Sequence, residues 1–224
     1  MVKILAVVAH PDDEVIGLGG TLIKHISVGD EVRVLFLADG KSSRDSFSEN
    51  DLEISKKENK MVSSFIGYSY KRFDLRDNQL DKYPLLKIVK LIENEVEKYR
   101  PNVIYTHSFQ DINIDHQICT LATITAVRPI DKFNFVSEIL LFETLSETEW
   151  GPSKRFETFT PNLFVELSQE QLNKKLEAMS LYKSELREGF NPRTLAIIEA
   201  NSRLWGAKYG IRYCEPFQVY RIKR

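Results

Sequence analysis

The sequence has only two cysteines, Cys119 and Cys214, among its 224 residues. Two thiols are too few for a disulfide framework, and they lack the Cys-x-x-Cys spacing of a zinc ribbon. We therefore expect both to be buried free thiols, which favours a reducing, cytoplasmic location.

The sequence also lacks a strong net charge and a long apolar run. Its 31 basic and 32 acidic residues give a net charge of −1, which argues against nucleic acid or an anionic membrane as the main partner. No segment approaches the roughly 20 apolar residues of a membrane span. The first apolar run is short and ends in a histidine and several acids, so we expect no cleaved signal peptide.

Short apolar runs alternate with segments of helical periodicity along most of the chain. This alternation predicts an α/β fold with a doubly wound parallel sheet, built as one domain over residues 1–224. Strands are expected at residues 3–8, 31–37, 68–73, 103–106, 139–142, 162–167 and 217–222. Helices are expected at residues 15–28, 51–66, 84–99, 118–127, 169–186 and 194–204.

The first predicted strand leads directly into His10-Pro11-Asp12-Asp13-Glu14. Ligands bind at the carboxyl ends of strands in an open α/β sheet, and imidazole with carboxylate suits zinc. His10 and Asp13 can converge on one ion. Asp12 then points elsewhere and can act as a base, because a nearby cation keeps it ionised. The alternative is a helix N-cap whose acids accept backbone N–H groups.

A second polar cluster follows the predicted strand at residues 103–106 and consists of His107, Asp111, Asn113, Asp115 and His116. His116 can supply a third ligand, and Asp115 is placed to orient a neighbouring group. Two histidines and one carboxylate with an open position form a catalytic zinc site, where the pKa of bound water falls to about 7. Such a site suits hydrolysis of a polarised carbonyl.

Together these residues resemble the signature of the PIG-L / LmbE-like family of zinc-dependent N-deacetylases. Residues 9–14 are similar to the first metal motif of that family, and Asp111-x-Asn113-x-Asp115-His116 is similar to the second. Other segments follow in the family's order: Ala38-Asp39-Gly40, Glu58 to Gly67, Asp77-x-x-Leu80, Pro192-Arg193 and Tyr213-Cys214-Glu215-Pro216-Phe217.

The resemblance implies a single-domain, Rossmann-like three-layer sandwich with a mostly parallel sheet and a metal site at the carboxyl ends of its strands. It implies hydrolysis of an N-acetyl group from an N-acetylglucosamine-type sugar or conjugate, nucleotide-linked ones included, in glycan, thiol-sugar or antibiotic biosynthesis. Zinc, or another divalent metal, would be bound by His10, Asp13 and His116. Asp12 would be the general base that activates water.

One position departs from the family pattern. Many members have histidine where this chain has Asn113, and that histidine stabilises the oxyanion or protonates the amine. Asparagine can donate a hydrogen bond to an oxyanion but cannot supply a proton. Either Asp12 carries out all the proton transfer, or His107 takes part.

Substrate contacts are expected from side chains at the same edge of the predicted sheet. The polar loop at residues 41–50 is interpreted as a flap on the substrate side, and arginine can hold hydroxyls or a phosphate. The candidates are Lys41, Arg44, Arg76, His107 and Arg193. No sequence feature chooses between a monomer and a symmetric homo-oligomer.

Other interpretations stay open or fail on specific residues. Because of the Asn113 departure, a catalytically silent metal- or sugar-binding protein stays an alternative interpretation. A receiver-type phospho-signalling domain, with Asp74 as phosphate acceptor, leaves His10 without a role. A dinucleotide site on Gly17-x-Gly19-Gly20 fails because these glycines do not directly follow the strand. We expect them instead to serve close packing on the sheet or the approach of a ligand.

Overall fold

The structure is a computed structural model that describes residues 1–151 and 158–224. Its strands are β1 (Lys3–Val8), β2 (Glu31–Ala38), β3 (Ser69–Leu75), β4 (Val103–His107), β5 (Glu138–Phe142), β6 (Leu163–Glu166) and β7 (Cys214–Ile222). Its α-helices are α1 (Asp13–Ser27), α2 (Glu49–Ile66), α3 (Leu85–Tyr99), α4 (Ile114–Ala126), α5 (Gln169–Leu181) and α6 (Leu195–Lys208). None of the described helices is long and apolar enough to cross a membrane.

The strands form one sheet in the order β3-β2-β1-β4-β5-β7-β6. The pairs β1–β2, β1–β4, β2–β3 and β4–β5 are parallel, whereas β7 runs antiparallel to both β5 and β6. The predicted α/β fold with a mostly parallel sheet is therefore confirmed. Because β1 lies between β2 and β4, the strand order reverses there and a crevice opens at the carboxyl ends of β1 and β4.

The alternating side chains of β1 belong to two separate cores. Ile4, Ala6 and Val8 pack on the side covered by α1, α2 and α5, whereas Leu5 and Val7 pack on the side covered by α3 and α4. A parallel sheet buried on both faces in this way requires apolar residues at successive positions. The fold is thus three-layered, and β1 is its central strand.

The glycines of α1 serve packing on the sheet. A Cβ atom at Gly17 would overlap the ring of Phe142, and one at Gly20 would overlap the side chain of Leu167. Of the two reasons that the sequence left open, close packing rather than the approach of a ligand accounts for them. The helix is also interrupted at Leu18, whose φ of −145° is not helical.

A buried ion pair stabilises this interruption in α1. The carboxylate of Glu215 accepts the N–H groups of Gly20 at 2.9 Å and Thr21 at 2.7 Å. Lys175 donates to the same carboxylate at 2.6 Å and to the carbonyl of Ile16 at 2.9 Å. The Glu215 segment flagged in the sequence therefore fixes the helix that follows the candidate metal turn.

Several predicted boundaries were wrong. Helix α1 begins at Asp13 rather than residue 15, and α5 ends at Leu181 rather than residue 186. Helix α4 begins at Ile114 rather than residue 118, because Asn113 caps it with its Oδ1 atom, 2.9 Å from the N–H of Asp115. The segment 143–160, predicted to cross the rim of the site, includes residues 152–157, which lie outside the described residues.

Candidate active site

The turn after β1 separates two adjacent carboxylates. Asp12 has a φ of 114°, a value that is uncommon for any residue but glycine. Its N–H donates to the buried carboxylate of Glu14 at 3.1 Å, while the N–H of His10 donates to Asp13 Oδ2 at 2.7 Å. The turn therefore holds Asp13 against His10 and leaves Asp12 to face other partners.

Three possible ligand atoms converge beside this turn. His10 Nδ1 lies 3.2 Å from His116 Nε2, and Asp13 Oδ2 lies 3.4 Å from each of these nitrogens. Ligand atoms placed about 2.0–2.1 Å from a tetrahedral zinc ion are about 3.3–3.4 Å apart. The observed spacing therefore matches one face of a zinc coordination tetrahedron.

Carboxylates hold the outer nitrogens of both imidazoles. His10 Nε2 lies 3.2 Å from Asp115 Oδ2 and 3.1 Å from Asp77 Oδ1, and His116 Nδ1 lies 2.9 Å from Asp111 Oδ2. Such partners keep the proton on the outer nitrogen and orient the ring toward a metal. The inner nitrogens then present two lone pairs to each other, which repel unless a proton or a cation lies between them.

Asp115 is itself fixed by the main chain. Its two carboxylate oxygens accept the N–H groups of Asn78 at 2.8 Å and Leu80 at 2.9 Å. These donors belong to the turn after β3, so three strand ends meet at this point. Asp115 thus has the geometry of a group that orients His10.

The surrounding charges favour a cation. Burial lowers the pKa of His10, but hydrogen bonds to carboxylates, first that of Asp115, outweigh burial and raise the pKa well above its ordinary value. For His116, burial again lowers the pKa, while Asp13 and Asp111 raise it to about 10. Burial raises the pKa of Asp13, but His116 and the other neighbouring histidines hold it well below its usual range. Positive charge is therefore stabilised among these atoms.

Two carboxylate oxygens at the site have no hydrogen-bond partner within residues 1–151 and 158–224. They are Oδ1 of Asp12 and Oδ1 of Asp13, and both are buried. Buried polar atoms are normally paired, so each offers a lone pair to a cation or a water molecule. The residues present fit a divalent metal with imidazole and carboxylate ligands.

Two further groups of buried side chains bring possible ligand atoms together: His107, Asp111 and His116, and His10, Asp77 and Asp115. His107 Nε2 already accepts the N–H of Ala9 at 3.0 Å, and its Nδ1 faces Thr144 Oγ1 at 3.1 Å. The lone pair of His107 is therefore used, which weakens the first group. In the second group, both carboxylate oxygens of Asp115 already accept backbone N–H groups, whereas Asp13 keeps Oδ1 without a partner among the described residues, so the first-described set fits a metal better.

His107 packs against the candidate ligand His116. Its ring stacks on that of His116 with centroids 3.9 Å apart, and burial lowers the pKa of His107 well below its ordinary value. The side chain is fully buried. Its role in substrate binding or proton transfer stays a prediction, and either role would require its present hydrogen bonds to break.

Asp12 is held by an arginine from the far end of the chain. Arg193 donates from Nη1 to Asp12 Oδ2 at 3.0 Å, from Nε to Ser146 Oγ at 2.7 Å, and from Nη2 to Glu147 Oε1 at 3.1 Å. Asp12 is only 1% exposed. Burial raises its pKa, Arg193 lowers it, and nearby carboxylates raise it, with a net value well above the usual range. A bound cation would lower that pKa.

An open cleft with a volume of ≈160 Å³ lies over these groups. Its lining comprises His10, Pro11, Asp12, Gly40, Ser43, Arg44, Asp77, Asn78, Asn113, Glu147, Glu185, Arg187 and Arg193. Asn113 therefore faces the cleft, and its Nδ2 has no acceptor in the described part of the chain. Arg76 is exposed and does not belong to this lining. Its backbone N–H donates to the Tyr83 hydroxyl at 3.4 Å. The predicted role of Arg76 in substrate binding stays a prediction.

Sequence reasoning missed several members of this arrangement as site residues. Asp77 and Asp111 lay in motifs that the sequence had flagged, and their position after strand ends was the available signal. Glu147 and Glu185 belong to no motif. Asp74, the acceptor in the receiver interpretation, pairs with Arg72 at 2.8 Å on the surface.

The sequence profile of the PIG-L family, described as GlcNAc-PI de-N-acetylase, matches residues 5–127. The chain belongs to this family. A diacetylchitobiose deacetylase of Thermococcus kodakarensis is 27% identical over 223 residues, covering 95% of this chain and 81% of that protein. The predicted PIG-L membership and the predicted enzyme class, a hydrolytic N-deacetylase, are confirmed, and the receiver interpretation is excluded.

Solved structures share the PIG-L fold over nearly the whole chain. The N,N'-diacetylchitobiose deacetylase of Pyrococcus horikoshii, in complex with an inhibitor, aligns with a TM-score of 0.79 and 22% identity, covering 98% of this chain and 84% of that one. The 4-carboxy-2-hydroxymuconate hydratase of Pseudomonas putida aligns with a TM-score of 0.80 and 17% identity, covering 100% and 98%. Since a hydratase shares it, the fold alone does not specify the reaction.

Proposed function

We propose that this protein is a metal-dependent hydrolase, with zinc as the preferred ion, that removes the acetyl group from an N-acetylated amino sugar or sugar conjugate. The observation that carries the proposal is the convergence of His10 Nδ1, Asp13 Oδ2 and His116 Nε2 within 3.2–3.4 Å of one another. Membership of the PIG-L family and a relative named for diacetylchitobiose support an amide of an amino sugar as the bond that is cleaved.

Asp12 is the proposed base. His10, Asp13 and His116 would hold the cation, which when bound would polarise the acetyl carbonyl and lower the pKa of water. Asp12 Oδ2 is held by Arg193, whereas Oδ1 has no partner among the described residues. The held oxygen fixes the carboxylate, and the free oxygen takes the proton from the attacking water. The same carboxyl group then returns this proton to the leaving amine.

Asn113 is the proposed oxyanion donor. Its Oδ1 atom caps α4, so its Nδ2 group is left to donate a hydrogen bond in the cleft. Both ring nitrogens of His107 are already engaged. We therefore assign the proton transfers to Asp12 alone.

We also propose that the deacetylase domain comprises residues 1–224 rather than the matched residues 5–127 alone. Arg193 and Glu185, which complete the cleft, come from the later part of the chain.

Cys119 and Cys214 are free and buried, which supports a reducing, cytoplasmic location.

Acetate release tests the proposal. Zinc-loaded wild type is assayed with N-acetylglucosamine, N,N'-diacetylchitobiose and UDP-N-acetylglucosamine, beside Asp12→Asn and the exposed control Asp131→Asn. We expect wild type and Asp131→Asn to release acetate, and Asp12→Asn to retain zinc but lose about 10²- to 10⁴-fold in turnover.

Two outcomes would contradict this function. Wild-type turnover in Asp12→Asn would remove Asp12 as the base. Stoichiometric zinc without acetate release from any sugar would instead support the alternative of a silent metal- or sugar-binding protein, which is based on the Asn113 departure from the family pattern.

A further inference from the structure

Glu185 engages both cationic side chains of the loop between β2 and α2. Lys41 forms an ion pair with Glu185 and donates to Ser184 Oγ at 2.5 Å. Arg44 Nη2 donates to the two carboxylate oxygens of Glu185 at 2.9 and 2.7 Å. Glu185 is 6% and Lys41 2% exposed, so these two residues form a buried ion pair. The Arg44 side chain, which is 34% exposed, contacts the same carboxylate.

The segment that carries Glu185 is itself anchored. Glu58 of α2 accepts the N–H of Ser184 at 2.9 Å and its hydroxyl at 2.5 Å. Glu185 is therefore held at the cleft wall by α2. Separating its carboxylate from Lys41 would leave a buried charge without a partner, which is costly.

Two of the three arginines in the cleft lining contact carboxylates. Arg44 contacts Glu185, which also pairs with Lys41, and Arg193 contacts Asp12 and Glu147. The remaining arginine of the lining, Arg187, is exposed and contacts main-chain carbonyl oxygens at 3.4 Å. A phosphate at the inner wall would compete with these carboxylates for the guanidinium groups and be repelled by them, whereas uncharged hydroxyl groups would not be repelled.

We propose that Glu185 is a specificity-determining residue that excludes phosphorylated sugars by occupying Lys41 and Arg44. The inference rests on the proposed function and narrows its substrates to N-acetylated amino sugars, and their glycosides, that carry no phosphate. It counts against a nucleotide-linked substrate. Without the carboxylate, Arg44, which lines the cleft, would be available to phosphoryl oxygens, and Lys41 beside it would lose its counter-charge.

Paired kinetic measurements test this role. The ratio of kcat/KM for N-acetylglucosamine 6-phosphate to that for N-acetylglucosamine is measured in zinc-loaded wild type, Glu185→Gln and Glu188→Gln. Glu188 is an exposed neighbour outside the cleft lining, so its variant makes the same change in net charge without releasing Lys41 or Arg44. We expect the ratio to favour the neutral sugar in wild type and to rise about tenfold or more in Glu185→Gln only, the effect of one or more charge-assisted hydrogen bonds.

A second variant and a second measurement distinguish the loss of the Glu185 carboxylate from misfolding of the variant. Lys41→Met/Glu185→Gln removes the buried pair together and leaves Arg44 free, so the same shift is expected. Inorganic phosphate should raise the thermal unfolding midpoint of both Glu185 variants more than that of wild type. This readout does not depend on turnover.

Equal ratios in wild type and Glu185→Gln, or an equal shift in Glu188→Gln, would overturn the proposal. Equal stabilisation of wild type and the Glu185 variants by phosphate would do the same. Absence of acetate release from either sugar in every zinc-loaded protein would instead count against the proposed function, and the phosphate measurement would still decide whether Glu185 masks the two cations.

Discussion

Two regions of the molecule contribute different parts of the candidate site. The region through β5 supplies the three candidate ligands, including His10 and His116, with carboxylates behind them. The region after β5 supplies Arg193, which holds the candidate base, and Glu185, which pairs with Lys41 of the loop between β2 and α2. We therefore propose that the first region determines whether a metal binds, and that the second determines how the proposed base and the substrate are placed.

The largest effect on metal binding and turnover is expected from removing a candidate ligand in the first region. His116→Ala deletes one of three ligands, so we expect stoichiometric zinc and all turnover to be lost, as measured by metal analysis and acetate release. His107→Gln is the matched control, because His107 lies against His116 but has its ring nitrogens engaged elsewhere. Loss of zinc from folded His107→Gln would show that the ligand set is different.

A substitution in the second region should leave the metal bound. Arg193→Gln removes the guanidinium that fixes Asp12, so we expect bound zinc and a kcat about 10- to 100-fold lower, the effect of a charged hydrogen bond of about 1.5–3 kcal/mol. Arg193 lowers the pKa of Asp12. Its removal raises that pKa, and because the base must be ionised, activity should be lost at a higher pH on the acidic side of the pH–rate profile.

The exposed Arg212→Gln serves as the control for this prediction and should keep both the rate and the profile. An unchanged kcat in Arg193→Gln would contradict the positioning role. Loss of zinc in that variant would show that the second region also affects metal binding.

The same two regions differ in how well the sequence predicted them. Local patterns predict the strand before His10 and the candidate ligands that follow β1 and β4, because apolar runs and strand ends are contiguous in sequence. The start of α4 was misplaced, since its apolar periodicity begins after the cap at Asn113. The antiparallel direction of β7 depends on pairing with β5 rather than on its own residues.

The charge partners could not be predicted for a similar reason. Arg193 and Asp12 are 181 positions apart, and Glu185 and Lys41 are 144 apart. No local spacing encodes such pairs. Lys41 and Arg44 were predicted as substrate contacts from their charge, but the fold places the carboxylate of Glu185 against both.

A smaller effect is expected where the later region stabilises α1. Glu215→Gln leaves Lys175 buried without its counter-charge, so the free energy of unfolding should fall by about 3 kcal/mol in urea titrations. The double variant Lys175→Met/Glu215→Gln should lose less, because no unpaired charge is left. A larger loss in the double variant would mean that packing, not charge, dominates at the kink.

The smallest effect is expected away from the candidate site, at the ion pair between His25 and Asp30. Burial raises the pKa of Asp30, but hydrogen bonds from His25 and the N–H of Val2 lower it more, with a net value below its ordinary one. Stability from Asp30 is therefore present above the unfolded pKa of about 3.9 and lost as pH falls through the lower folded pKa.

Asp30→Asn should accordingly destabilise the protein at pH 7 by about 1 kcal/mol or less. The difference from wild type should shrink as the pH falls below 4, while zinc content stays the same. A difference that grows toward acid pH would reverse the assigned sign.

The position of the bound metal tests the central claim most directly. Crystals grown with zinc would be measured at the zinc absorption edge, and the anomalous peak located against the surrounding side chains. We predict one peak about 2.0–2.2 Å from His10 Nδ1, Asp13 Oδ2 and His116 Nε2. A peak coordinated by His107 and Asp111, or by Asp77 and Asp115, or no peak at all, would contradict it.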